Sequence, residues 1–188
     1  WTLEGGSLEP NFPGVYTQQG AACNDCKPAA RYDGNAWYTG GNVAYMFGGV
    51  RLPDVNDPLS GTNDMWQLDL VTKKWIWIKG SIAETGLLLP TYGTQKVSAP
   101  DNTPGALAGA RSWIESPTSL WLYGGYGPNN SAQTGIVNTT WRFDTVSASW
   151  IWEVGDNRLD IYSPSQNNPP NISRGTAVKM SERTMKQS

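Results

Sequence analysis

Short runs of alternating apolar and polar residues, separated by turn residues, recur along this chain. In residues 65–70, for example, Trp66, Leu68 and Leu70 fall on one face of an extended strand. The 21 glycines and 13 prolines favour frequent turns and disfavour long helices. The pattern predicts an all-β fold with two groups of four strands, at residues 31–38, 43–47, 65–70 and 75–79, and at residues 110–114, 120–123, 140–144 and 150–154.

The two groups of strands form an internal repeat, because matching residues are separated by a nearly constant number of positions. The matching pairs are Gly48 and Gly124 at 76 positions, Tyr16 and Tyr92 at 76, Trp66 and Trp141 at 75, Trp75 and Trp150 at 75, and Arg31 and Arg111 at 80. We therefore predict that each unit forms one antiparallel sheet of four strands.

The two ends of the chain follow the same pattern. Residues 1–7 align with residues 75–81, so we expect them to be the last strand of a preceding unit. Residues 8–81 form the first unit, with a long loop that carries both cysteines, and residues 82–157 form the second. Residues 158–188 are expected to be a linker and the start of a further unit at Arg174.

The repeat resembles a known family. A strand that ends in Gly-Gly, followed by Asn-Asp-x-Trp-x-x-Asp and then by a Trp that opens the fourth strand, is similar to the kelch repeat. The resemblance implies a β-propeller segment with galactose oxidase-type blades, two nearly complete and one partial at each end. Its signature residues here are Gly48, Gly49, Trp66, Trp75, Gly124, Gly125, Trp141 and Trp150.

The tryptophans can be interpreted in two ways. An exposed row of indole rings is a platform on which sugars stack, whereas buried rings hold sheets together. We expect the four tryptophans at the kelch positions to pack between blades; these are Trp66, Trp75, Trp141 and Trp150. We expect Trp37, Trp113 and Trp121 to belong to the core as well.

Several kinds of chemistry are disfavoured by composition. The chain has no histidine, which removes the commonest general base and the commonest transition-metal ligand. The copper chemistry of galactose oxidase is therefore not carried over, and no catalytic, metal or cofactor site is predicted. A hydrolase that uses only carboxylates stays open. Oxygen ligands crowd the loop that holds Asp54, Asn56, Asp57 and Asp64, but we expect a solvated turn there rather than a Ca²⁺ site.

The charge balance bears on partners. Fourteen basic and 16 acidic residues give a formal net charge of -2, so nothing electrostatic favours nucleic acid or an anionic membrane. No apolar run approaches the roughly 18 residues of a membrane span.

Cys23 and Cys26 are the only cysteines. The pair could be redox-active, half of a zinc site, or a local disulfide. The βαβ context of a redox motif is absent, and zinc would need two further ligands. We therefore expect a disulfide and an oxidising compartment.

Three triplets match the acceptor pattern for N-linked glycans, at Asn129, Asn138 and Asn171. Asn129 and Asn171 fall in predicted loops, whereas Asn138 begins a strand, where folding could hide it. Together with the cysteines, they favour a secreted or cell-surface glycoprotein.

The predicted connections differ in length on the two edges of the sheets. Those at 39–42, 71–74, 116–119 and 145–149 are short, and those at 8–28, 50–62, 81–109, 126–137 and 155–173 are long. Long connections without regular structure are often functional, so we expect recognition or assembly at that edge, although they could simply cover strand edges.

We therefore expect a non-catalytic module for protein–protein interaction or structural assembly. Its expected partners are other blades of the same propeller, other chains of an extracellular assembly, and N-linked glycans. The alternative is a propeller that binds or cleaves glycans.

Overall fold

A computed structural model describes residues 2–3, 5–51, 61–82 and 87–156 of the chain. Within these residues the protein is all-β and contains no helix. The strands are β1 (Asn35–Tyr38), β2 (Val43–Phe47), β3 (Met65–Asp69), β4 (Trp75–Lys79), β5 (Arg111–Ser116), β6 (Ser119–Tyr123), β7 (Tyr126–Pro128), β8 (Thr134–Ile136), β9 (Thr140–Asp144) and β10 (Ser149–Val154).

Eight of the strands form two four-stranded sheets in which every neighbouring pair is antiparallel. The first sheet has the order β1-β2-β3-β4, and the second has the equivalent order β5-β6-β9-β10. Both predicted sheets are thus confirmed. The first strand is shorter than predicted, because Asp33 has a positive φ of 54° and only an isolated bridge joins Tyr32 to Val50.

One predicted loop has regular structure. The connection at 126–137 was expected to lack it, but β7 and β8 pair within it as a two-stranded hairpin. Asn129 shapes the turn, because its Oδ1 accepts hydrogen bonds from the main-chain nitrogens of Ser131 and Gln133 at 3.0 and 2.9 Å. A side chain that bonds its own turn in this way closes a hairpin that strand periodicity alone does not reveal.

Strand register corrects one match between the two units. Asn35 pairs with Phe47 in the first sheet, and Arg111 pairs with Tyr123 in the second. Because Phe47 and Tyr123 are equivalent, Arg111 corresponds to Asn35, and the match with Arg31 is wrong. Arg31 and Arg111 are 80 positions apart, whereas the paired strands repeat after 76 positions. Because an antiparallel ladder fixes one register, only residues 76 positions apart can be equivalent in these strands.

The residue of the second unit that takes the place of Arg31 is Leu107. Isolated bridges show this, since Tyr32 pairs with Val50 and Ala108 pairs with Tyr126, 76 positions later in both strands. A buried apolar side chain thus replaces a guanidinium group in the second unit.

The two sheets pack on each other through unlike faces. In the first sheet, we call the front the face that carries Trp37, Tyr45, Phe47 and Met65. In the second sheet, the front carries Trp113, Trp121 and Tyr123. The back carries Met46, Trp66, Leu68, Trp75 and Trp77 in the first sheet, and Leu122, Trp141, Phe143, Trp150 and Trp152 in the second. The main core joins the front of the first sheet to the back of the second.

Contacts between aromatic rings lie at the centre of this interface. Phe47 from the first sheet meets Trp150 edge-on, with ring centroids 4.8 Å apart, and Phe143 lies 5.0 Å from the same indole. Such tilted pairs add to the stabilisation that burial of their large apolar surfaces provides.

The second glycine of each Gly-Gly pair meets a backbone constraint. Gly49 and Gly125 have φ values of 98° and 102°, which other residues rarely adopt. A Cβ atom at Gly49 would also come within 2.7 Å of the Tyr32 carbonyl oxygen, and one at Gly125 within 2.8 Å of the Ala108 oxygen. The chain can turn out of β2 and β6 only where no side chain is present.

Two of the predicted long connections are ordered parts of the repeat. Residues 14–30 and 90–106, which we call the caps, lie against the backs of the first and second sheets. Gly20 N donates to Trp77 O at 2.8 Å, and Lys96 N donates to Trp152 O at 2.7 Å. A gapless offset of 76 relates the two caps, which extends the repeat beyond the strands.

Candidate functional site

The front of the second sheet carries aromatic side chains that no described residue covers, although their counterparts on the first sheet are buried. Trp37 is 3% exposed and Phe47 is 0% exposed, because the second sheet covers them. Their equivalents Trp113 and Tyr123 are 44% and 47% exposed. The expectation that Trp113 is a core residue is therefore wrong for the described part of the chain, whereas Trp37 is buried as expected.

Polar groups hold the exposed aromatic rings in place. Trp113 and Trp121 stack with ring centroids 5.6 Å apart and planes 14° apart. Trp121 Nε1 donates to Glu115 at 3.1 Å, and this bond together with one from Ser119 lowers the pKa of the carboxyl. Arg142 lies 5.9 Å from the Trp121 ring centre. The Trp113 ring thus presents one face outward from a fixed stack.

Hydrogen bonds across the first interface show what the open face lacks. Trp37 Nε1 donates to the Trp121 carbonyl at 3.1 Å, and Gly49 N donates to Leu107 O at 2.8 Å. The equivalent donors in the second unit are Trp113 Nε1 and Gly125 N. Among the residues that the structure describes, neither has a hydrogen-bond acceptor.

The back of the first sheet contains a pocket of about 360 Å³. Its lining includes Leu68 and Trp75 from the sheet, Lys73 from the turn between β3 and β4, and Pro28 from the first cap. The segment before the cap contributes Gly5, Gly6, Ser7, Glu9 and Phe12. The equivalents of Leu68, Lys73 and Trp75 are Phe143, Ala148 and Trp150, all of which contact the core that Phe47 enters. The pocket therefore corresponds to a site that an aromatic side chain fills in the second unit.

A buried ion pair lies beneath the first cap. Arg31 donates to both oxygens of Asp64, at 2.6 and 2.7 Å, and Trp66 Nε1 and Tyr16 Oη also donate to Asp64, at 2.6 and 2.8 Å. Burial alone would raise the pKa of Asp64, but the bond and the charge of Arg31, with the bonds from Trp66 and Tyr16, hold it below its usual value. Four hydrogen bonds from three side chains thus hold this carboxylate.

This arrangement bears on the calcium alternative. Asp64 is committed to Arg31, Tyr16 and Trp66, so it is not available to a cation. Asp54, Asn56 and Asp57 lie outside the described residues. No cluster of three or more carboxylate, histidine or cysteine groups suited to a metal occurs in the part of the chain that the structure describes.

Cys23 and Cys26 lie at disulfide distance, with their Cα atoms 5.6 Å apart. Cys26 is buried against Trp66 and Trp77, in the small core that includes the first cap. The second cap has Ala99 and Asn102 at the equivalent positions. Asn102 Nδ2 donates there to the carbonyls of Val97 and Trp150 at 3.0 and 3.1 Å. The cysteine pair thus holds the first cap, whereas the hydrogen bonds of Asn102 hold the second.

The structure reverses the relative accessibility expected of two glycan acceptors. Asn129 is only 5% exposed, and its Nδ2 donates to Gln133 at 3.2 Å, so the atom that would carry sugar is engaged. Asn138 is exposed, and only its Oδ1 is used, by the main-chain nitrogen of Asp156 at 3.1 Å. Asn171 lies outside the described residues.

Three of the four tryptophans at the repeated positions are fully buried in the described chain. These are Trp66, Trp141 and Trp150, whereas Trp75 is half-buried. The caps are what sequence reasoning missed. Their signal was the run of identities at the offset of 76, which includes Gln19 with Gln95, Asp25 with Asp101, Pro28 with Pro104 and Trp37 with Trp113.

No protein-family model matches this chain, and no curated protein sequence matches it. No helix within the described residues is long and apolar enough to span a membrane.

Proposed function

We propose that the two units are neighbouring blades of a kelch-type β-propeller. In this proposal, the propeller is a non-catalytic module for protein–protein interaction or structural assembly in an extracellular or cell-surface glycoprotein. The observation that carries the proposal is the front-to-back packing of two equivalent sheets, since repeated front-to-back contacts of twisted sheets are how such blades follow one another.

The connections support different roles for the two edges of the sheets, with protein contacts at the edge that carries the long connections. At one edge, the turns that follow β3 and β9 are closed by Asp69 and Asp144, whose side chains accept hydrogen bonds from the next main-chain nitrogens. The opposite edge carries the long connections and exposes Tyr32, Tyr126 and Ile136. Exposed aromatic and aliphatic side chains on long connections are suited to protein contacts.

A photo-crosslinking experiment tests the proposed interaction edge. We would place p-benzoylphenylalanine at Tyr126 on the long-connection edge and, as a matched control, at Val146 on the short-turn edge; both positions are exposed. Irradiation of the native protein on producing cells should give protein adducts from position 126 and not from position 146. Equal adducts, or adducts from position 146 alone, would contradict the proposed edge.

The alternative function, a propeller that binds or cleaves glycans, has one observation in its favour. The Trp113–Trp121 stack presents a flat indole face to solvent, as sugar-binding platforms do. Against it, the equivalent ring of Trp37 is covered by protein. Binding of the native protein to an array of glycans, lost in Trp113→Ala and kept in Trp37→Phe, would support the alternative.

A further inference from the structure

We propose that two copies of this chain associate front to back, with the open front of the second sheet of one copy against the back of the first sheet of the other. This inference rests on the proposed function, because it extends the same packing from one chain to two. The contact region on the donor copy is the knob, made of Trp113, Trp121 and Tyr123. The contact region on the acceptor copy is the socket, the pocket lined by Leu68, Lys73 and Trp75.

The knob and the socket are equivalent to the two sides of an interface that the chain already forms. Phe47 fills the site beside Trp150 within one chain. Tyr123 is the equivalent of Phe47, and no described residue covers it; Trp75 is the equivalent of Trp150, and no described side chain fills the pocket beside it. A surface that fits the chain's own opposite end is expected to bind it when concentration permits.

Polar groups at the rim of the two surfaces also match. In the interface within the chain, Tyr45 lies against Thr145, at the start of the turn that contains Ala148. The equivalent contact between copies would bring Trp121 and its bonded Glu115 to the turn that contains Lys73. The two surfaces would then carry opposite charges at this point, which favours this orientation.

The open front also carries two hydrogen-bond donors without an acceptor among the described residues. Trp113 Nε1 and Gly125 N would gain main-chain acceptors from the second copy, as Trp37 Nε1 and Gly49 N do from the second sheet. Donors that become paired on association restore the hydrogen bonds that a dry interface requires. The contact therefore resembles the interior interface in both its apolar and its polar parts.

This contact uses two different surfaces, so it is heterologous, and each dimer keeps one free knob and one free socket. Further copies can add until the rotation between them closes a ring. The association should therefore proceed beyond a dimer in the unmodified chain and should stop where either surface is altered.

Sedimentation of the full chain with two variants tests the proposal. Tyr123→Lys places a charge on the knob, and Trp75→Arg places one in the socket. The unmodified chain should show a weight-average mass that rises to at least twice its 20.5 kDa across roughly the micromolar range. Each variant alone should remain monomeric.

The decisive sample is an equimolar mixture of the two variants. One retains its socket and the other its knob, so the mixture should form a 1:1 dimer that does not grow further. Val146→Lys, at an exposed position outside the knob and the socket, should associate like the unmodified chain. Should Trp75→Arg fail to fold by circular dichroism, Leu68→Lys provides a second socket variant.

Three results would overturn the proposal: an unmodified chain that stays monomeric, variants that associate as the unmodified chain does, or a mixture that stays monomeric. Binding of the knob only to a separate repeat unit from a longer polypeptide would also overturn it. That last result would leave the proposed propeller standing. The proposed function fails instead if the two sheets of one chain do not pack together, which the stability of Trp37 variants reports separately.

Discussion

Trp37 and Trp113 hold the same position in two successive units, yet the second sheet buries one of them and nothing in the described chain covers the other. Trp37 Nε1 bonds to the Trp121 carbonyl, and Trp113 stacks on the Trp121 ring. The two indoles therefore contribute differently to stability, although they belong to the same element of the repeat.

This difference predicts unequal costs of truncation. Trp37→Ala should lower the free energy of unfolding by about 3–5 kcal/mol, because it leaves a cavity between the sheets. Trp113→Ala should cost about 1 kcal/mol or less in dilute solution, because the side chain is half exposed. Urea unfolding of the full chain measures both. Equal costs would show that Trp113 is covered.

The buried ion pair of the first unit should be exchangeable for its counterpart in the second. Asp64→Ala should cost about 3–5 kcal/mol, because it leaves the Arg31 guanidinium buried without its partner. The double variant Arg31→Leu/Asp64→Thr, which copies Leu107 and Thr139, should recover most of that loss. Trp141 Nε1 already donates to Thr139 Oγ1 at 3.2 Å, which shows that threonine can replace the carboxylate as acceptor.

The same double variant should change how the free energy of unfolding depends on pH in acid. The pKa of Asp64 is held below 3.8 in the folded protein, so its stabilisation is present above that pH and is lost as pH falls through the lower folded value. Stability of the unmodified chain should fall more steeply below about pH 4 than that of the double variant. Parallel pH dependence would contradict the assignment.

Two tyrosines should make the protein sensitive to alkali. Burial, chiefly, raises the pKa of Tyr16 and of Tyr92 to about 12, with the Asp64 carboxylate contributing to the first and Asp156 to the second. Because the folded pKa lies above the unfolded value of 10.0, the stabilisation is present below pH 10 and is lost as pH rises towards 12. Unfolding midpoints should fall across that range, less steeply in Tyr16→Phe and Tyr92→Phe. Titration of all eight tyrosines near pH 10, followed by phenolate absorbance, would contradict this.

The disulfide should be present and replaceable. Mass spectrometry without reduction should find Cys23 and Cys26 joined, and two free thiols in freshly isolated protein would contradict the pairing. Cys23→Ser/Cys26→Ser should cost roughly 2 kcal/mol for so short a loop. Cys23→Ala/Cys26→Asn, which copies Ala99 and Asn102, should cost less, because an asparagine fastens the second cap. A greater loss from the second pair would show that the caps are not interchangeable.

Glycan occupancy should follow accessibility. If the chain passes through a eukaryotic secretory pathway, peptide mapping of native material should find sugar at Asn138 and little or none at Asn129, whose Nδ2 is engaged in the folded hairpin. Asn171 stays a predicted acceptor. Full occupancy of Asn129 would require that hairpin to open, and unmodified asparagine at all three positions would count against secretion.

The two predicted four-stranded sheets and most strand positions are confirmed, because the signals behind them are local. Alternation at Trp66 and Leu68 identifies a strand, and the Gly-Gly pairs mark where it must turn, since only glycine tolerates the φ at Gly49 and Gly125. The repeat then assigns the same pairing order to both sheets. Sequence reasoning also located the cysteines in a connection outside the strands, although it did not recognise the cap around them.

The remaining features depended on which surface each residue meets. Alternation places Trp37 and Trp113 on corresponding faces, but coverage of a face depends on a neighbouring sheet, which no local pattern specifies. The equivalence of Arg31 with Leu107 emerged only from strand register, because a buried charge and a buried aliphatic group look unrelated in sequence. In the same way, the pocket at Trp75 results from contacts between distant segments. By itself the sequence determined strands, turns and period, which follow from backbone geometry, whereas only the tertiary structure decided which faces are buried and which remain open to a partner.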